Sequence, residues 1–228
     1  MHFLPALGNH QTLRMLYRPE SRQVFMGIYN NFLLTGGDTR PKGLLICSAN
    51  RGEGSTTIAM GMAIAAAEVQ SQPVLLIDGN FAQPQVCGAF GLPELYGFGD
   101  FLAGRVDLKS VVKATSMPNL QVMAAGVAPL NHISMLEAPA FENLLGRLAT
   151  AYPLIIVDGP AVNVYAESVL YAAQVDRVFL VVNAGITRVQ VVSTALARLT
   201  GGGCNNGKVE LILNRRTFPI PPWIYKRI

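Results

Sequence analysis

Six short apolar runs recur along the chain, separated by longer stretches of helical character. The runs are Gly43–Ser48 (GLLICS), Pro73–Asp78 (PVLLID), Leu120–Ala124 (LQVMA), Leu154–Asp158 (LIIVD), Arg177–Val182 (RVFLVV) and Val209–Asn214 (VELILN). Most are apolar at consecutive rather than alternate positions, the pattern of strands covered on both faces. Between them, Thr56–Gln70, Phe141–Ala151, Ser168–Ala173 and Thr187–Leu199 predict helices. The alternation predicts an α/β fold, a mostly parallel sheet flanked by helices and joined by right-handed crossovers. The segment Pro84–Pro118 is richer in glycine and breaks into shorter pieces, so no element is assigned there.

Ligands of such sheets bind beyond the carboxyl ends of the strands. The first predicted strand runs into SANRGEGSTT, residues 48–57, while the second ends at Asp78 and the fourth, LIIVD, at Asp158. One glycine-rich turn and two carboxylates therefore converge at one sheet edge. Gly52 and Gly54 allow backbone N–H groups to turn inward on an anion, and a helix opening near Thr56 adds its positive dipole end. Arg51, Glu53 and Thr57 complete the candidate cradle. The Thr56 hydroxyl stands where a P-loop binds magnesium, and Asp78 and Asp158 are candidate partners for the ion or its waters. A P-loop closes on Gly-Lys-Ser/Thr. Here Ser55 holds the lysine position. Serine offers one neutral donor in place of a mobile charge, so phosphate binding should weaken and phosphoryl transfer should suffer more. Taken singly, each strand-end aspartate could equally be a turn initiator; two beside such a loop favour a shared nucleotide site.

Composition narrows the picture. The chain has 228 residues, 50% of them apolar and 14% charged, enough for one sizeable core. An N-terminal extension is expected over 1–20, one P-loop domain over 21–216 and a tail over 217–228. The net charge of +4 is modest, and the basic residues form no stripe beyond Arg215–Arg216 and Lys226–Arg227. That argues against nucleic acid as a partner. Three cysteines, Cys47, Cys87 and Cys204, have no metal or CxxC spacing and are expected as free thiols. The N-terminus lacks the apolar core of a signal peptide, and Ile58–Val69 is too short to span a bilayer. A cytoplasmic protein is expected. His2, His10 and His132 are far apart in sequence and suggest no cluster.

With these residues in hand, the sequence from Gln23 to Asn214 resembles the bacterial tyrosine kinases of capsular and exopolysaccharide synthesis. The family's S-x-x-P-G-E-G-K-S-T is met by SANRGEGSTT, its LLIDADLRRP by LLIDGNFAQP (Leu75–Pro84) and its IIIDTPP by IIVDGPA (Ile155–Ala161). FGLPELYGFGDFLAG (Phe90–Gly104), DRVFLVVNAGITR (Asp176–Arg188) and LILNR (Leu211–Arg215) follow in family order. The resemblance implies a MinD/ParA-like P-loop NTPase architecture, ATP or ADP with magnesium as ligands, and Asn214 at an adenine-contact position. It also implies a membrane polysaccharide co-polymerase, or chain-length regulator, as partner, and a peripheral place at the inner membrane through it.

The departures run in one direction. Besides Ser55, Asn80 replaces an aspartate, and Ala82 and Gln83 replace two arginines. The family's ring-forming E-x-x-R-x-x-R falls on Gln23, Met26 and Tyr29, and its tyrosine-rich tail is reduced to Tyr225 in PPWIYKRI. A degenerate, kinase-like partner protein, monomeric or dimeric rather than a ring, is the leading expectation. Two others stand beside it. An active ATPase or tyrosine kinase would need a substitute cation, for which Arg51, Lys42 and Arg215 are candidates. A MinD/ParA-type positioning ATPase would carry an early loop lysine where this chain has Asn50.

Overall fold

The computed structural model describes residues 11–35, 41–137 and 139–216. The expected tail, with Trp223, Tyr225, Lys226 and Arg227, lies outside them, as do His2 and His10. In chain order the first elements are α1 (Gln11–Leu16), α2 (Pro19–Thr35), β1 (Gly43–Ser48), α3 (Ser55–Val69) and β2 (Val74–Asp78). Short pieces follow: α4 (Val86–Phe90), α5 (Phe98–Leu102), α6 (Leu108–Val111), β3 (Val112–Ala114) and β4 (Leu120–Met123). The last part holds α7 (His132–Glu137), α8 (Pro139–Leu148), β5 (Leu154–Asp158), α9 (Glu167–Gln174), β6 (Arg177–Asn183), α10 (Val189–Gly201) and β7 (Val209–Asn214).

The sheet has seven strands in the order β3-β4-β2-β5-β1-β6-β7. All pairs are parallel except β3 with β4. The six predicted strands are present. The antiparallel β3 is an addition that the apolar pattern does not announce, because three half-exposed residues carry no period. β1, β2 and β5 are buried at every position. Their side chains divide by the pleat: Leu44, Ile46 and Leu76 enter one core, and Leu45, Cys47 and Leu75 the other.

The first core is closed by α1, α2 and α3, the second by α5 and α7–α10. Leu13 and Leu16 of α1 and Phe25, Tyr29 and Phe32 of α2 are all buried in the first core. Their i, i+3, i+4, i+7 spacing is what puts them on one helix face. α3 is buried almost all round because it lies between the sheet and α2. That burial accounts for its Ala- and Gly-rich sequence. A Cβ on Gly61 would come within 2.4 Å of the Phe25 ring, so only glycine lets the two helices approach this closely. Arg22 and Glu68 pair at 2.9 Å on the rim of the same contact. Cys47, Cys87 and Cys204 are free and buried. Among the described residues, no helix is long and apolar enough to cross a membrane.

Candidate functional site

β1 delivers the glycine-rich loop to the carboxyl edge of the sheet. Gly52 and Gly54 adopt φ of 79° and 94°, left-handed values that L side chains rarely adopt. At Gly54 a side chain is also excluded by space, since a Cβ would lie 2.5 Å from Asn214 Nδ2. Ser55 opens α3, with Gly54 as the cap residue. The helix thus begins where the loop ends, with its free N–H groups at the loop.

The loop is held by side chains from the segment after β6 and from the end of β7, the two strands on one side of β1. Glu53 is 3% exposed and faces inward. One of its carboxylate oxygens accepts the Asn50 N–H at 2.7 Å, and the other accepts the Thr187 hydroxyl. Asn214, at the end of β7, donates from Nδ2 to the Glu53 carbonyl at 2.8 Å. Its Oδ1 accepts the Arg215 N–H at 2.9 Å. The Asn214 amide thus braces the loop with one of its two N–H groups. Glu53 likewise serves the loop's shape from behind.

Arg51, Gly52, Gly54, Ser55, Thr56 and Thr57 line one cavity of about 210 Å³. Its opposite wall comes from the segments after β2, β5 and β7: Asn80, Gln83 and Gln85, then Ala161 and Tyr165, then Arg215. Gln85 and Tyr165 are wall residues that sequence reasoning passed over. The signal for Tyr165 was its place seven residues past Asp158, beyond a strand end of the same sheet edge. Asn80, in the place of a family aspartate, accepts the Gln83 N–H at 3.1 Å and closes the turn after β2. Of the candidate cations, Arg51 and Arg215 reach the cavity. Lys42 does not. It precedes β1 and lines a different cavity with Tyr29 and Pro153, separated from the loop by the strand's length of about 20 Å.

Asp78 and Asp158 end adjacent strands in direct register. Both are 1% exposed. Asp78 accepts three backbone N–H groups, from Asn80 at 3.2 Å, Gln85 at 2.9 Å and Val86 at 3.0 Å. Burial nonetheless pushes its carboxyl up to about 6, against the pull of those N–H groups. Asp158 is driven well above the ordinary carboxylate range by burial first and by the Asp78 charge second. The Thr56 hydroxyl opposes that rise, yet no donor closes a hydrogen bond on either Asp158 oxygen. A fully buried carboxylate with both oxygens unpartnered is costly unless a cation faces it. The donor set of two carboxylates and a hydroxyl suits Mg²⁺, which favours hard oxygen ligands.

His132 stands apart from this cavity. Its Nδ1 faces the Pro129 carbonyl at 2.9 Å and its Nε2 faces Glu167 at 3.0 Å. Among the described residues, no three His, Cys, Asp or Glu side chains gather as a metal cluster.

A strand, a glycine-rich loop braced on an N-terminal helix turn, and paired strand-end aspartates in a mostly parallel sheet define a P-loop NTPase fold. The MinD protein of Pyrococcus horikoshii, solved with Mg-ADP, shares this fold at a TM-score of 0.61 and 21% identity, over 82% of this chain and 76% of that one. Similarity to tyrosine kinases runs further. The VpsO kinase domain superimposes at a TM-score of 0.74 with 28% identity, covering 87% of this chain and 98% of that domain. Tyrosine-protein kinase YwqD of Bacillus subtilis is 28% identical over 190 residues, 80% of each sequence. No protein-family model matches the chain. In sequence and in fold the chain is thus similar to bacterial tyrosine kinases over most of its length.

Proposed function

We propose that this protein binds ATP or ADP with Mg²⁺ weakly and serves capsule or exopolysaccharide assembly as a kinase-like regulatory partner with little phosphoryl transfer of its own. The carrying observation is the mismatch within one site. The cradle, Thr56, Asp78 and an unpartnered, buried Asp158 are all retained, while the lysine position is Ser55. Backbone N–H groups of residues 52–56 would hold the β- and γ-phosphates. Thr56, Asp78 and Asp158 would hold Mg²⁺, which neutralises phosphate charge when bound. Asp158 is the stronger candidate of the two carboxylates, because Asp78 already accepts three N–H groups. The chemistry lacking is a mobile charge that follows the γ-phosphoryl group through transfer.

Restoring that charge is the direct test. A Ser55→Lys variant is expected to bind ATP at least tenfold more tightly by calorimetry, consistent with a charge-assisted rather than a neutral hydrogen bond, and to gain ATP hydrolysis above the natural protein. Equal turnover by the two proteins would instead favour an active kinase with a rebuilt site. The positioning-ATPase reading has only the fold in its favour, at 21% identity to MinD.

The partner implied by the family is a membrane polysaccharide co-polymerase, which would bring the protein from the cytoplasm to the inner-membrane surface. The domain of residues 21–216 is taken as the working unit. We expect it as a monomer or dimer. Two positions matching the family's ring-forming motif, Met26 and Tyr29, carry no charge, and Tyr29 is sealed in the core at 1% exposure with its hydroxyl accepting from Gln70 Nε2 at 2.6 Å. Light scattering on a gel-filtration peak should give a mass of one or two chains, and an octamer-sized ring would refute this.

A further inference from the structure

We infer that Arg51 supplies in this chain the positive charge that Ser55 cannot, and that Tyr165 is the residue that positions it. The inference rests on the nucleotide-binding reading above and concerns what makes such binding feasible. Arg51 is part of the glycine-rich loop itself and lines the cavity with Ser55 and Thr56. Its guanidinium is tied to the opposite wall in two ways. Nη2 donates to the Tyr165 hydroxyl, and Cζ lies 5.0 Å from the centroid of the Tyr165 ring, within cation–π range.

Tyr165 is itself fixed by the turn after β5, where its N–H donates to the Ala161 carbonyl at 2.9 Å. The loop cation is thus held across the cavity from the segment that follows Asp158. A guanidinium has five N–H donors in a planar fork, so one bond to a phenol leaves the others for phosphate oxygens, including a bidentate pair. Holding the side chain in place beforehand also reduces the rotamer entropy lost on binding. Arginine cannot be exchanged for lysine in this geometry, because the ring stacking and the fork are lost together.

Arg215 is the internal control. It reaches the same cavity from the end of β7 but has an exposed side chain and, among the described residues, no such tether to a ring. The two cations make different demands. A charge acting on the distal phosphates should discriminate ATP from AMP, whereas one near the base or ribose should affect both alike.

The test is calorimetric titration of the full chain with MgATP and with AMP, on the natural protein and on Arg51→Ala, Arg51→Lys, Tyr165→Phe, Arg215→Ala, Ser55→Lys and Ser55→Lys/Arg51→Ala. Thermal melts check that each variant is folded; Arg51 is exposed and outside both cores, so its removal should leave the fold intact. Arg51→Ala is expected to weaken MgATP about tenfold or more and to leave AMP nearly unchanged. Arg51→Lys should recover only part of that loss, and Tyr165→Phe should weaken MgATP about threefold by freeing the guanidinium. In the Ser55→Lys background, Arg51→Ala should cost much less, since the two charges do one job. Unchanged MgATP affinity in Arg51→Ala, or a loss confined to Arg215→Ala, would overturn the inference. So would a natural protein that fails to bind while Ser55→Lys binds; the site reading would then survive without it. If neither protein binds MgATP, both fall.

Discussion

Moved from pH 5 to pH 8 in the presence of a chelator, the protein should melt at least about 5 °C lower. The cause is the pair of strand-end aspartates. In the unfolded chain both titrate near the ordinary carboxylate value of about 4. In the folded chain Asp78 is pushed up to about 6, by burial first of all, and Asp158 is driven well above the ordinary value by burial and then by the Asp78 charge. Between those values the folded state binds more protons than the unfolded one, so stability falls as pH rises. The Asp78 contribution is complete below about pH 4 and is lost as pH climbs through about 6, and the Asp158 contribution falls in the same direction. For Asp78 alone the part of the shift still to be lost above pH 5 corresponds to about 1.4 kcal/mol, and each kcal/mol moves the melting point of a domain this size by about 2–4 °C. Asp158→Asn keeps the shape and removes the charge, so it should raise the melting point at pH 8 and flatten the profile. Stabilisation by added Mg²⁺ should vanish with it. Scanning calorimetry from pH 5 to 8 reads all of this, and a natural protein whose melting point is flat or rises over that range would sink the account.

The second large effect is steric. Gly61→Leu should destabilise the protein by about 3 kcal/mol or more, because the new side chain enters space already held by the Phe25 ring. Phe25 is 7% exposed and packed in the core, so the ring has no open solvent to retreat into. Helix propensity works the other way, since any residue better than glycine gains up to about 1 kcal/mol in a helix interior. The two terms separate in a double-mutant cycle. Gly61→Ala should destabilise the natural protein, yet it should stabilise a Phe25→Ala background in which the ring is gone. Urea denaturation of the four proteins measures the sign in each background, and the same sign in both would show that α2 does not press on α3 as described.

Strands buried on both faces were easy to see in the sequence, since LLIC, VLLI and LIIV leave few other readings. Their carboxyl ends followed, and with them the loop, Asp78 and Asp158. What escaped was anything whose meaning lies in a distant partner. α2 carries a plain Phe25–Tyr29–Phe32 stripe, but only the contact with α3 explains Gly61. Lys42 is near the loop in sequence yet a strand's length away in space, because a strand carries its two ends apart. Glu53 looked like a ligand-facing residue, whereas its carboxylate is turned inward to Asn50 and Thr187. Tyr165 had no motif to mark it; it matters through Arg51, 114 residues earlier. β3 and the short helices between Pro84 and Pro118 depend on tight turns rather than on a period.

The hydrogen bond from Asn214 to the Glu53 carbonyl joins residues 161 positions apart, and it bears on the order in which the molecule becomes competent. The loop emerges from the ribosome early, but its brace belongs to the last strand of the sheet. Until that strand docks against β6, the loop has the Glu53 bonds to Asn50 and Thr187 but lacks the brace that β7 brings to the Glu53 carbonyl beside Gly54. A nascent or truncated chain ending before Val209 would carry every glycine of the loop and still lack that brace. The full shape of the loop therefore matures late, and the last strand of the sheet acts as its checkpoint.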